Sequence, residues 1–374
     1  MQYVRDSSKN LQLLSRLLLS TAATTDAASV PSFTRESHSD LFECALSLTT
    51  RDIDSLKSLA NTNHVVMRAF APLQQIVEAK GNHEAAKMIA ATRDEETRRI
   101  GHALDFLTRI CSTLEGAGCN VTVIKSLDHW PDLGSDLDLF TDADPARVVQ
   151  VMTKQLQANV EDRSWGDRLA NKWNFAIPGL PELVEIHIGR LGQTGEQTAV
   201  TCSVSTRGQT MEINGHSFRV PAPEDRIVIS TLQRMYRHFY IRLCDVVDNA
   251  RLLDLGLVDF DHLHSLGETA GLWKGIATYL SIISEYVKSY RGEGVLLPEL
   301  VTGSAKFGTE QVRFRKDFLR VSIMPHSMNL YAAELKTLLL KGDLRNTLRL
   351  SLLPGLATAA ALEQKLTGSD KGIW

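Results

Sequence analysis

The stretch that decides the fold is Val121 to Phe140, VTVIKSLDHWPDLGSDLDLF, which carries Asp136 and Asp138 with one leucine between them. Side chains of an extended strand alternate between its two faces, so residues i and i+2 point the same way. The spacing therefore predicts a strand that presents both carboxylates on one face and buries Leu137 and Leu139 on the other. Two neighbouring carboxylates repel each other and are costly to bury without a partner. A hard divalent cation relieves that repulsion, and Mg²⁺ prefers such oxygen ligands.

The residues just before this pair favour a ligand site over the alternative, an edge strand with solvated acidic side chains. Gly134 and Ser135 predict a tight turn whose backbone N–H groups and hydroxyl can meet a phosphate. Upstream, a short apolar strand ends in Lys125 and Ser126. A calcium loop is a poor fit, because counting from Asp136 finds neither the glycine nor the closing glutamate that such a loop needs.

A second predicted strand supplies a third carboxylate. Residues 183–188 alternate so that Val184 and Ile186 face one side, while Glu185 and His187 face the other. If this strand neighbours the first one in a sheet, Glu185 meets the two aspartates. For His187, a hydrogen-bonded histidine beside the sheet and a substrate contact are both open.

These motifs together resemble the DNA polymerase β-like nucleotidyltransferase superfamily, and more narrowly a bacterial group of uncharacterised nucleotidyltransferases. The likeness consists of a strand ending in Lys-Ser, a short segment containing Trp and Pro, and Gly-Ser-Asp-Leu-Asp-Leu. It covers roughly residues 95 to 255. Relatives tend to carry Leu-Lys-Gly where this chain has Ile124-Lys125-Ser126, and often Asp-x-His at Glu185-Ile186-His187.

The resemblance implies a reaction and a set of site residues. The reaction is the transfer of a nucleoside monophosphate from a nucleoside triphosphate to an acceptor hydroxyl or phosphate, with release of pyrophosphate. Asp136, Asp138 and Glu185 would be catalytic and would hold Mg²⁺ or Mn²⁺. The implied nucleotide-binding residues are Lys125, Ser126, Gly134, Ser135, His187, His238 and Arg242. The acceptor, a small molecule, a peptide or an RNA, stays open.

The segment after Pro221 is predicted to form one long helix. Apolar residues recur at helical spacing from Ile227 to Leu253. A polar row follows on a neighbouring face and consists of His238, Arg242, Asp245 and Asn249. This row is either a solvated or salt-bridged face or, as the resemblance implies, a wall of the active-site cleft. Arg234 and Arg237 join Arg242 as candidate charges for a triphosphate.

The whole pattern predicts an α+β protein, with a polymerase β-like mixed sheet flanked by N-terminal helices and a C-terminal helical domain. The predicted division is an N-terminal helical region (1–95), a nucleotidyltransferase domain (96–222) and a C-terminal helical domain (223–374). Leucines at 11, 14, 17 and 18 predict an amphipathic first helix rather than a signal peptide. Helices are expected from about 36 to 116, most clearly from Asp94 to Glu115, and again through most of 260–365. Asn214-Gly215 predicts a β-hairpin.

Composition limits the functional classes. The formal net charge of −3 provides no basic field for a membrane surface or for stable nucleic-acid binding. No apolar run reaches membrane-spanning length, so a cytoplasmic location is expected. The five cysteines show no C-x-x-C spacing, which favours reduced thiols over a disulfide framework or a zinc site. The expected partner is a nucleoside triphosphate.

Three other functions stay open. A metal-dependent glycosyltransferase also uses Asp-x-Asp, but strands and helices should alternate before that motif, and here the preceding residues are helix-like. An RNA-modifying toxin of the nucleotidyltransferase type would share the chemistry. A non-catalytic nucleotide-binding or interaction module would share only the fold.

Overall fold

The computed structural model describes residues 2–20 and 48–355. The first helix buries Leu11, Leu14 and Leu17, which confirms the amphipathic spacing. The N-terminal helices are α1 (Gln2–Leu19), α2 (Thr50–Thr62), α3 (Val66–Ala79) and α4 (His83–Gly116). Helix α4 begins earlier than predicted, because the Asn82 side chain accepts a hydrogen bond from the Ala85 N–H and caps it there. The predicted helical residues 36–47 lie outside the described ranges.

A five-stranded sheet follows, in the order β1–β2–β5–β4–β3. Strands β2 and β5 are parallel, and the other neighbouring pairs are antiparallel. The register places Asp138 of β2 opposite Glu185 of β5. The strands are β1 (Thr122–Val123), β2 (Asp136–Thr141), β3 (Asn159–Val160), β4 (Lys172–Ala176) and β5 (Leu183–Ile188). Three helices in this region are α5 (Pro145–Gln155), α6 (Trp165–Leu169) and α7 (Thr198–Arg207).

One face of the sheet is buried against α4. Leu137 and Leu139 of β2 share a core with Val184 and Ile186 of β5. The α4 residues in the same core are Ile100, Ala103, Leu104, Leu107, Ile110 and Leu114. Because strand side chains alternate, this burial turns Asp138 and Glu185 towards the opposite face.

The hairpin predicted at Asn214-Gly215 is present. Strands β6 (Gln209–Ile213) and β7 (His216–Val220) pair antiparallel around it. Asn214 and Gly215 have φ values of 51° and 81°, which are the positive values that a two-residue hairpin turn of this type requires.

The prediction of one long helix after Pro221 is wrong. Helix α8 (Pro223–Thr231) continues into a π-helical turn (Leu232–Arg237), and helix α9 (Leu243–Asp254) begins only after a short strand, β8 (Tyr240–Ile241). Phe239 has a φ of 55°, which a right-handed helix cannot continue through. The polar row that starts at His238 therefore does not lie along one helix.

The C-terminal part is mainly helical, as predicted, but it also contains a hairpin that the prediction missed. Strands β9 (Val312–Arg315) and β10 (Phe318–Val321) form a three-stranded sheet with β8, in the order β8–β10–β9. Lys316 and Asp317 make the turn with φ values of 50° and 64°, and they lack the glycine that marks most such turns. The helices are α10 (Phe260–Ala270), α11 (Trp273–Arg291), α12 (Glu299–Thr302), α13 (Met328–Leu340) and α14 (Leu344–Ser351).

The N-terminal and C-terminal helices share a single core, although they are far apart in the sequence. Leu14 of α1 and Phe70 of α3 belong to the same buried cluster as Val246 of α9 and Ile283 of α11. The mixed sheet and these helices make the protein an α+β structure. The predicted boundaries near 95 and 222 stay predictions. In the two described ranges, none of the helices has the length and apolar character needed to cross a membrane.

Candidate functional site

The polar face of the five-stranded sheet lines a cavity of about 780 Å³. Strands β2, β4 and β5 contribute Asp138, Lys172 and Glu185, while the π-helical turn contributes Arg237. The predicted site residues that line the cavity are Lys125, Ser126, Gly134, Ser135, Asp136, Asp138, Glu185, His238 and Arg242. The remaining predicted residue, His187, is buried next to Glu185 and is not part of the lining. The fold thus brings together nearly all the residues named from sequence.

The three predicted metal ligands do not occupy equivalent positions. Asp136 is exposed at the first position of β2, whereas Asp138 and Glu185 are partly buried side by side. Asp138, Glu185 and His187 offer ligand atoms that lie within 4.8 Å of one another. Asp136 is outside that close group, so a cation shared by all three carboxylates would require some movement of side chains.

Two lysines neutralise the carboxylates of the sheet. Lys125 Nζ lies 2.5 Å from Asp138 Oδ1 and 3.4 Å from Glu185 Oε1. Lys172 Nζ lies 2.9 Å from Glu185 Oε2. His187 Nε2 lies 2.8 Å from Glu185 Oε1. Both oxygens of Glu185 are therefore already engaged, and a metal ion at Glu185 would have to share them with these partners.

Burial and charge set the pKa values of this group. Burial raises the pKa of Asp138, and the lysine beside it only partly offsets this effect. Burial alone would also raise the pKa of Glu185, but Lys125, the hydrogen bond with His187 and Lys172 outweigh it and hold that pKa well below its usual value. Burial lowers the pKa of His187 to about 4. At neutral pH an ionised Glu185 therefore accepts a hydrogen bond from a neutral His187.

The Lys125-Ser126 segment holds strand β2 in position through hydrogen bonds. Lys125 has a φ of 61°, and the chain turns there into a short 3₁₀ helix (Ser126–His129). Ser126 Oγ accepts a hydrogen bond from the Asp138 N–H at 2.7 Å and lies 3.3 Å from the Asp136 carbonyl oxygen, to which it donates. Ser126 thus lines the cavity, but the contacts of its hydroxyl hold the Asp-x-Asp strand in place.

The tight turn predicted at Gly134-Ser135 takes the form of a bend without a turn hydrogen bond. Gly134 has no regular structure, and Ser135 lies at a bend. A Cβ at Gly134 would lie 3.3 Å from ring atoms of His64, so glycine here gives room to that ring. Ser135 Oγ lies 3.5 Å from Asp136 Oδ2, which leaves both the hydroxyl and the carboxylate accessible to a ligand.

A basic wall of the cavity comes from the π-helical turn and from the residue that follows β8. Arg237 and Arg242 line the cavity, and no carboxylate of the described residues lies within 4.0 Å of either guanidinium. Arg234, in contrast, is buried and lies 2.7 Å from Asp245. Two cations are therefore free to bind an anionic ligand, while the third stabilises the fold.

The predicted polar row divides accordingly. His238 and Arg242 reach the cavity, because the break at Phe239 and strand β8 turn them towards it. Asp245 is buried against Arg234, and Asn249 donates a hydrogen bond to the Tyr279 hydroxyl at 3.1 Å. The last two residues belong to the interior of α9.

The sequence predicted strand β4 from the alternation of Trp173 and Phe175 with Asn174, but it did not identify the cavity residues before and within that strand. Lys172 and Asn174 lie on the face of that strand opposite to the core residue Phe175, and Asn174 lies opposite Glu185 in the antiparallel register. Asp167 pairs with Lys172 at 2.9 Å. Trp165, at the start of α6, lines the cavity and is 71% exposed. The alternation at Lys172 and Asn174 carried this signal, because both residues face the same side as the predicted Glu185.

Comparison with known proteins gives no further guidance. No family model matches this chain, no curated protein matches it, and no solved structure matches it. The chemistry of the cavity therefore follows from its own residues.

Proposed function

We propose that this protein is a metal-dependent nucleotidyltransferase with a polymerase β-like catalytic sheet. It would transfer a nucleoside monophosphate from a nucleoside triphosphate to an acceptor and release pyrophosphate. The observation that carries this proposal is one cavity lined both by the carboxylates of Asp136 and Asp138 and by the unpaired guanidinium groups of Arg237 and Arg242. A triphosphate needs cations around its oxygens, and paired carboxylates bind a divalent ion that bridges to phosphate.

The donor atoms fit Mg²⁺ or Mn²⁺. Asp136 is exposed and Asp138 is partly buried, and their carboxylate oxygens are the ligands that such ions prefer. Glu185 accepts contacts from Lys125 and Lys172 on its two oxygens, which favours a supporting role over ligation in this arrangement. When bound, the ion would neutralise the phosphates and steady the pyrophosphate leaving group.

Side chains of the protein would bind and orient the triphosphate and would accept the proton of the acceptor. Arg237 and Arg242 would bind phosphate oxygens and hold the triphosphate in one orientation, which favours in-line displacement. A carboxylate of the pair Asp138 and Glu185 would accept the proton of the acceptor hydroxyl. Exposed Trp165, at the edge of the cavity, offers a flat aromatic surface on which a planar ring can stack.

A second candidate is a nucleotide-binding module without transfer activity. It is favoured by the position of Lys125, whose ammonium group contacts both Asp138 and Glu185. A cation supplied by the chain itself compensates the charge there and reduces the need for a metal ion. This module would bind nucleotide through the arginines with little dependence on Mg²⁺.

Calorimetric titration separates these functions. We expect wild type to bind a nucleoside triphosphate more tightly with Mg²⁺, and Asp136→Asn/Asp138→Asn to lose about tenfold or more of that affinity. The matched control is Asp142→Asn, because Asp142 is exposed just after β2 and is not part of the cavity lining. Transfer is followed by incubating α-labelled triphosphates and Mg²⁺ with a cell extract. Equal affinity in the double variant would contradict the metal site, and nucleotide binding with no label transferred would favour the binding module.

A further inference from the structure

A second group of metal-ligating side chains lies at the edge of the cavity. His64, His129 and Cys244 each offer a ligand atom within 4.8 Å of the others. Cys244 Sγ lies 3.8 Å from His129 Nε2. Around a tetrahedral ion with metal–sulfur and metal–nitrogen bonds of about 2.3 and 2.0 Å, these two atoms would be about 3.5 Å apart. We propose that His64, His129 and Cys244 bind a divalent transition-metal ion, with Zn²⁺ as the first choice.

The surroundings of His129 match those of a metal-ligating histidine. Its Nδ1 forms a short hydrogen bond with Asp248, so Nε2 is directed towards Cys244. Arg68 holds Asp248 at 2.5 Å and Asp132 at 2.7 Å. A carboxylate bonded to the second ring nitrogen fixes the tautomer and orientation of a ligating imidazole. The polar partners needed to orient the ligand are therefore present before any ion binds.

His64 provides an independent observation. Its Nδ1 is buried and has no hydrogen-bond partner among the described residues. An unsatisfied buried nitrogen costs stability, and coordination to an ion would remove that cost. The His64 ring lies edge-on to the His129 ring, with their centroids 5.6 Å apart. Gly134 leaves the space that the His64 ring needs, since a Cβ there would be 3.3 Å away.

Charge within this hydrogen-bonded group also suits a divalent cation. Asp132 and Asp248 carry two negative charges. Arg68 compensates one of them, and in the metal-free protein a proton on His129 compensates the other, which coordination of His129 would displace. A metal-bound Cys244 thiolate would add one more negative charge. An ion of charge 2+ would therefore neutralise the group, whereas an isolated thiolate would leave buried charge uncompensated.

The ligands come from three distant parts of the chain. His64 lies between α2 and α3, His129 lies in the 3₁₀ helix before β2, and Cys244 lies in α9. No local spacing in the sequence reveals ligands that are this far apart. The sequence, which has no C-x-x-C motif, therefore predicted reduced thiols and no zinc site. Three protein ligands leave the fourth tetrahedral position for water. The ion would link the N-terminal helices, the 3₁₀ helix before β2 and the C-terminal helices, so its binding should stabilise the folded chain.

Titration of the metal-stripped full-length protein with Co²⁺ tests the site, because cobalt replaces zinc and absorbs visible light. We expect one Co²⁺ per chain, with a sulfur-to-cobalt charge-transfer band and the strong visible bands of a tetrahedral site. Cys244→Ser should remove the charge-transfer band, and His64→Ala should weaken binding about tenfold or more. Cys119→Ser is the matched control, because Cys119 is equally buried but belongs to the other core. Cys44→Ser checks the cysteine outside the described ranges.

Thermal melting provides a second readout. Zn²⁺ should raise the melting temperature of wild type and of Cys119→Ser, but not of Cys244→Ser. A charge-transfer band that survives Cys244→Ser, or a wild type that binds no Co²⁺ in excess metal, would overturn the proposal. If Cys244→Ser does not fold, His64→Ala decides, and unchanged Co²⁺ affinity in that variant overturns it. The nucleotidyltransferase proposal is independent of this result, because its metal would lie on Asp136 and Asp138.

Discussion

Replacement of Glu185 by glutamine tests whether this carboxylate takes part in the reaction or only forms ion pairs with Lys125 and Lys172. Glutamine keeps the size and hydrogen-bonding capacity of the side chain and removes its charge. Lys125 would keep Asp138 at 2.5 Å, and Lys172 would keep Asp167 at 2.9 Å. Neither ammonium group is therefore left without a carboxylate.

The retained partners determine the magnitude. We expect a loss of about 1.5–3 kcal/mol in the free energy of unfolding, the range for hydrogen bonds to charged groups. This is less than the roughly 3–5 kcal/mol lost when a buried charge keeps no partner at all. Turnover should fall by about a hundredfold to a thousandfold if Glu185 takes part in the reaction, which is the effect of removing one key electrostatic group from an active site.

Glu182→Gln is the matched control. Glu182 is buried just before β5, pairs with Arg99 at 2.7 Å and does not line the main cavity. It should lose similar stability in a thermal melt but keep full transfer of label from an α-labelled triphosphate. Glu185→Asp should keep part of the activity, because it preserves the charge. If Glu185→Gln transferred label as fast as Glu182→Gln, the participation of Glu185 in the reaction would be refuted.

Two further variants test the cavity arginine Arg242 and the buried carboxylate of Asp167. Arg242→Ala should weaken nucleotide binding by about tenfold to a hundredfold, because a charge-assisted bond to phosphate contributes about 1.5–3 kcal/mol. The control is Arg320→Ala, because Arg320 lies against the same two rings, Tyr240 and Phe318, but does not line the cavity and should leave nucleotide binding unchanged. Equal dissociation constants for the two variants by calorimetry would contradict a role of Arg242 in binding. Burial alone would raise the pKa of Asp167, but Lys172 and Ser164 outweigh this effect and hold the pKa below its usual value. The ionised carboxylate therefore stabilises the fold above about pH 4, and this stabilisation is lost as the pH falls through the folded-state pKa. Melting temperatures between about pH 6 and pH 3 should fall less steeply for Asp167→Asn than for wild type, and parallel curves would show that Asp167 contributes no such term.

The sequence by itself determined the features that depend on local period and local turn chemistry. The Asp136-Leu137-Asp138 alternation placed both aspartates on the polar face of a strand, and the same period assigned Glu185 and His187 in β5. The Asn214-Gly215 turn was readable for the same reason, because its positive φ values depend on those two residues alone. These elements need no information from distant parts of the chain.

Only the tertiary structure decided which elements meet. The parallel pairing of β2 with β5 puts Asp138 opposite Glu185, and β4 brings Lys172 to the same carboxylate. The break at Phe239 could not be predicted from the sequence, because the apolar spacing of that segment suits a helix. Strand β8 forms there by pairing with β10, which lies some eighty residues further along the chain. The same holds for Cys244 and its two histidine neighbours. A period tells which face of an element is buried, but pairing between elements is set by the packing of residues that are distant in sequence.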